Sequence, residues 1–194
     1  MVVGRERDLG TVATVHGIVG LITCLCLILL YLGADAAGAV NDVGNGVLGL
    51  LSAWLVWRCH QAGLTAGLVF VGIAALGAVI TVIGSILILT DATGFFLAGL
   101  VSSLGFAVIG IWLVAVNRRS EEPLPRRLRT AGLVAGVVML LGFVGAPGIP
   151  MGLDDMETAP GWTYVGGLSW AGTYLLFPLW SLRLARATSV PLGG

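Results

Sequence analysis

Across 194 residues, hydrophobic side chains make up 57% of the chain and charged ones only 10%, with a mean hydropathy of +1.01. A soluble domain carries about 25% charged residues, so this chain lacks the polar cover for a water-facing surface and must have its outside solvated by lipid. A spanning helix needs about 20 mainly apolar residues, and six would use roughly 120, which leaves short loops and no room for a separate soluble domain. The composition therefore predicts an all-α polytopic membrane protein made of a single transmembrane domain. It does not indicate an activity.

All ten basic residues are arginine, and lysine is absent. With abundant Gly, Ala, Val and Leu, this hints at a GC-rich bacterial genome. Cys24, Cys26 and Cys59 lie within apolar runs or at their ends, so no disulfide framework of an exported domain is implied. Cys24 and Cys26, two positions apart, point to opposite sides of a helix, which counts against a shared metal site.

In chain order, a mixed-charge head precedes a first span over about 12–33. A signal peptide is the competing reading, because Ala34-Asp35-Ala36 resembles a cleavage site, but the apolar run exceeds the 7–15 residues of a typical signal region. Asn41 and Asp42 read as helix N-caps for a short second span over 42–57, upright or in a thinned bilayer. A tight turn at Arg58–Gln61 leads to a long third span over 62–90, and a fourth covers 95–116. The Arg-rich loop 117–130 follows, with Pro123 and Pro125 keeping its middle extended. The fifth span, 131–146, should break where Pro147 and Pro150 end regular helix. After a polar segment from Met151 to Gly161, the sixth span covers 162–182, with a kink expected at Pro178 because the Tyr174 carbonyl loses its partner.

Arginine placement predicts topology. Two residues fall in the head, one in the second-to-third turn, five in the 117–130 loop and two in the tail, all on one side of a six-span arrangement. The opposite loops carry Asp35, Asp42, Asp91, Asp154, Asp155 and Glu157. Basic residues mark the cytoplasmic side, so both termini should be cytoplasmic and the location a cell (inner or plasma) membrane. Trp54, Trp57, Trp112 and Trp180 fall near cytoplasmic span ends, where indole rings favour the interface. The sequence TAGLV occurs at Thr65–Val69 and again at Thr130–Val134, each followed at equal distance by Leu-Gly (Leu76-Gly77, Leu141-Gly142). This suggests three hairpins with a weak parallel repeat, a pattern found among transporters; chance similarity in so biased a composition is the competing reading.

Chemistry is sparse. No Asp, Glu or Arg falls near the centre of a span, which counts against a proton relay or a carboxylate-lined cation path. His16 reads as a helix-packing histidine or as a metal or haem ligand with only His60 to partner it. Asn45, between Gly44 and Gly46, is placed to bond across to a neighbouring helix or to line a polar vestibule. Gly63/Gly67 and Gly132/Gly136 have the spacing that lets helix backbones approach, within the chain or at a homodimer seam. Asp154, Asp155 and Glu157 form an acidic cluster without EF-hand spacing. No motif for a serine hydrolase, zinc protease or phosphate-binding loop is present. No catalytic residue, cofactor or metal site is assigned. The one candidate contact set is Arg118, Arg119, Arg126, Arg127 and Arg129, placed to touch anionic lipid headgroups.

The run GIWLVAVNRRSEEPLPRRLRTAGLVAG, Gly110–Gly136, resembles a pattern in uncharacterised bacterial six-helix membrane proteins, in which a Gly-x-Trp-Leu span end precedes a Leu-Pro-Arg loop and a Gly-rich span. LLFPLWSLRLAR, Leu175–Arg186, is similar to another such span end. The resemblance implies a six-helix fold and brings no activity. Two roles follow as expectations. The first is a non-catalytic accessory or scaffold component, as a homo-oligomer or in a larger membrane complex; the second is a transporter or permease for a neutral or lipid-like solute. The expected partner is the lipid bilayer, and no nucleic acid is implied.

Overall fold

The computed structural model describes residues 2–119 and 124–189, with side chains over 8–119 and 124–188. The described residues are helical or lie in turns and one longer irregular segment over 149–161, without a strand. Four long helices come first: α1 (Val2–Tyr31), α2 (Ala36–Gln61), α3 (Leu68–Leu89) and α4 (Phe95–Arg119). α5 (Arg126–Leu140) continues after a hitch at Leu141 into α6 (Gly142–Gly145) and a 3-10 turn, Ala146–Gly148. The last stretch comprises α7 (Trp162–Gly167), α8 (Ser169–Ala171), a π turn over Gly172–Leu176 and α9 (Phe177–Ser189). Five helical segments are long and apolar enough to cross a membrane: Asp8–Tyr31, Ala36–Gln61, Leu68–Leu89, Phe95–Arg119 and Arg126–Gly148.

Burial differs from that of a soluble protein, because many large aliphatic side chains face outward while polar ones lie buried among an apolar core. Ile18, Ile22, Leu25, Leu50, Leu76, Val79 and Ile83 are exposed, whereas His16, Asn41, Ser52, Thr81, Asn117 and Ser181 are buried. Such an arrangement suits a solvent of hydrocarbon, in which outward aliphatic side chains are solvated and polar ones must find partners inside. α4 occupies the middle: 72% of its apolar window is buried, against 33–44% for the other four. Consecutive long helices pack on each other and α9 returns to α1, closing the set around α4.

The close approaches depend on glycine. A Cβ at Gly77 would lie 2.5 Å from the Gly105 carbonyl oxygen, and one at Gly142 would lie 2.5 Å from that of Ser103. α3 and the α5–α6 stretch therefore both touch the α4 backbone. Gly132 and Gly136 also pack on α4, against Asn117 and Gly110. Gly63 and Gly67 do not act this way: they sit in the turn before α3, with φ of +82° and +105°, a conformation that glycine adopts readily.

Element bounds shift where polar residues lie inside a helix. α2 starts at Ala36, so Asn41 and Asp42 lie within it and cap nothing; its 26 residues need no thinned bilayer. The first residues expected for the third span form a turn, and Thr65–Val69 straddles it, while Thr130–Val134 is wholly helical. The two TAGLV copies therefore differ in conformation. Most of the 117–130 stretch is helix rather than loop, because α4 runs to Arg119 and α5 begins at Arg126. Pro125 before it is extended, at φ −50° and ψ 136°; Glu121, Glu122 and Pro123 lie outside the described residues. Trp112 and Trp180 are not interface anchors but fully buried, edge to face at 6.1 Å. Trp54 and Trp57 are about half exposed, as interfacial indoles would be.

Candidate functional site

Two buried polar clusters and one arginine-lined groove hold the residues with chemical potential. The first cluster centres on His16 of α1, whose ring is fully buried. Its Nε2 lies 3.1 Å from the Ser52 hydroxyl of α2, and its Nδ1 lies 2.9 Å from the Ser181 hydroxyl of α9. The Phe177 ring packs on it at 4.4 Å. Both hydroxyls also reach the carbonyl four residues back in their own helices, Leu48 at 2.7 Å and Phe177 at 3.0 Å. A neutral imidazole has one N–H and one lone pair, and each serine has one proton. One serine thus accepts from the ring and stays bonded to its helix, while the other turns its proton to the bare nitrogen.

A serine beside a histidine is also the pairing that activates a nucleophile. Here both hydroxyls are fully buried, neither nitrogen meets a carboxylate, and neither the cavity nor the groove described below reaches them. The arrangement fastens three helices. His60 does not converge on His16: its Nδ1 lies 2.9 Å from the Thr65 hydroxyl, which accepts from the Gly67 amide and shapes the turn before α3. Among the described residues, no group of three or more His, Cys, Asp or Glu is placed to hold a metal.

The second cluster joins α2 to the π turn. The Tyr174 hydroxyl donates to Asn45 Oδ1 at 2.6 Å, Asn45 Nδ2 donates to Asn41 Oδ1 at 3.4 Å, and Asn41 Nδ2 donates to the Thr23 carbonyl at 3.2 Å. Beside them is a cavity of about 10 Å³ lined by Asn41, Asn45, Ser85, Ser102, Trp170 and Tyr174. That volume holds about one water. The Ser85 hydroxyl is buried there without a protein partner, whereas the Trp170 indole N–H donates to Ser103 at 2.8 Å. Asn45 therefore bonds across helices, and its partner, Tyr174, gave no signal in the sequence because local spacing does not encode a pairing so distant along the chain.

The acidic cluster resolves into capping. The Asp154 carboxylate accepts from the amides of Gly94, at 2.5 Å, and Leu97, at 3.1 Å, and so closes the start of α4 from another segment. Asp155 accepts from the Glu157 amide at 2.8 Å and from the Thr158 hydroxyl.

The five arginines expected at lipid headgroups do not form one patch. Arg118 and Arg119 are exposed at the end of α4, with the Arg119 guanidinium 5.7 Å from the centre of the Phe70 ring. Arg129 Nε donates to the Asn117 carbonyl at 3.1 Å and ties α5 to α4. Arg126 and Arg127 lie in the first turn of α5 and, with Arg183 of α9, flank a groove of about 970 Å³. Arg183 was not in the expected set, since no local pattern links it to α5. Elsewhere at this end, Arg58 pairs with Asp8, bringing the close of α2 beside the early part of α1. Comparison of the chain with protein-family models, with curated proteins and with solved structures finds no match.

Proposed function

We propose that this chain is a six-span integral membrane protein of the cell membrane, with both termini cytoplasmic, acting as a non-catalytic accessory or scaffold component. The observation that carries the reading is the interior. Helices meet through glycine at backbone contact, and the cavity of about 10 Å³ beside Asn41, Asn45 and Tyr174 has room for about one water. A solute path needs a binding cavity between repeats near the midplane, and this packing favours a fixed frame. The ten arginines support the orientation, since an up-and-down course through six spans puts all of them at one end. The arrangement is also what the resemblance to six-helix bacterial membrane proteins leads one to expect.

A permease for a neutral or lipid-like solute is the second reading, and the π turn favours it. π turns recur at functional sites, and this one places Tyr174 on Asn45 at the polar cavity. Native mass spectrometry after gentle extraction separates the two. The scaffold role predicts a stoichiometric protein partner or a defined homo-oligomer. A monomer that retains a non-lipid small molecule would overturn it in favour of transport.

A further inference from the structure

We propose that the groove between α5 and α9 is a binding site for one anionic phospholipid drawn from the surrounding bilayer. The inference rests on the membrane reading and is independent of the choice between scaffold and permease. The groove has a charged rim and an apolar floor. Arg126, Arg127 and Arg183 form the rim, while Ala131, Val134, Leu176 and Leu179 line the depth. Val134 lies eight residues below Arg126, about 12 Å along a helix at 1.5 Å per residue. A phosphodiester at the rim would thus have its glycerol and first acyl carbons running down the trough. Hydrocarbon floor and cationic rim lie in the order in which a lipid presents its own parts.

Charge complementarity selects an anionic headgroup. Among the described residues, none that is acidic lines the groove, and the three guanidiniums have no acidic partner. Guanidinium presents paired donors that match phosphate oxygens. The start of α5 adds to the field, because Pro125 supplies no side-chain cap and the first amides face the same end. The volume of about 970 Å³ suits a headgroup with the upper part of its chains; pockets for small ligands run to about 1,000 Å³. Arg118, Arg119 and Arg129 carry the same charge but lie outside this lining, which provides an internal control.

The test is native mass spectrometry of the full chain, released from nanodiscs of equimolar phosphatidylglycerol and phosphatidylcholine. The wild type should retain one phosphatidylglycerol in preference to phosphatidylcholine. R126A/R127A/R183A should lose that adduct about tenfold, and R118A/R119A should keep it. Ala131→Trp, which fills the trough with every charge in place, should also lose it; this variant decides the matter if the triple variant does not fold. Equal retention of both lipids, an unchanged adduct in Ala131→Trp, or equal loss in R118A/R119A would overturn the proposal. So would a dimer of the chain that Ala131→Trp dissociates, since a second copy would then be the occupant. Extraction of the chain from membranes by carbonate would instead refute the membrane reading, which separates the two failures.

Discussion

At the scale of single residues, helix spacing is set by the absence of side chains. A Cβ at Gly105 would clash with the Thr81 hydroxyl and lie 2.6 Å from the Gly77 carbonyl oxygen, so α3 would have to move off α4. Overpacking of this kind costs about 1–3 kcal/mol. Gly72 sits on α3 with open space around it, and alanine there should stabilise the helix by about 0.5–1 kcal/mol. We therefore expect Gly105→Ala to lower, and Gly72→Ala to hold or raise, the midpoint of unfolding in mixed micelles; equal effects would refute a contact-limited α3–α4 crossing. That glycines pack helices was legible in the sequence, but which ones was not. Gly63 and Gly67 share the spacing of Gly132 and Gly136 yet shape a turn, because spacing records period while backbone conformation depends on neighbours.

At the scale of elements, the last helical stretch departs most from regularity. The Phe177 amide bonds to the Gly172 carbonyl, five residues back, just before Pro178, which has no N–H and clashes with the carbonyl of the preceding turn. A π turn widens the helix there and relieves the clash. Pro178 itself packs into the gap left by Gly20 of α1. The sequence located the disturbance at Pro178 but not its form, since a kink and a π turn answer the same missing donor. The widened turn also sets the rotation of everything before it, by about 100° per residue, and so aims Tyr174 at Asn45. Interhelical hydrogen bonds in membranes average about 0.6 and reach about 1.7 kcal/mol. Tyr174→Phe should fall in that range in the wild type and cost almost nothing in a Pro178→Ala background, where regular helix can reform. Additive costs in this double-mutant cycle would show that the π turn does not position Tyr174. Helix ends were the least legible feature, because Asn41 and Asp42 resemble caps until Asn41 is found bonded to α1 from within α2.

For the whole molecule, composition anticipates the outward aliphatic surface, because that follows from solvent rather than from packing, and arginine placement predicts a direction. The central position of α4 was not legible: its apolar run resembles the others, and only the glycine contacts on several sides enclose it. Direction can be tested with two sites at opposite ends. Asp91 is exposed in the turn after α3, with φ +54°, and Ala187 is exposed near the end of α9. In a chain without its native cysteines, Asp91→Cys should react with an impermeant maleimide on intact bacterial cells. Ala187→Cys should react only after permeabilisation. Replacing Arg118, Arg119, Arg126, Arg127 and Arg129 with Gln leaves five arginines, which a six-span course would put on one side with none opposite, so the bias would weaken without changing sign and the labelling pattern should persist. Labelling of both sites in intact cells, or reversal of the pattern in the parent chain, would sink the six-span topology. Reversal in the Gln variant alone would instead mean that these five residues set the orientation and the other five do not.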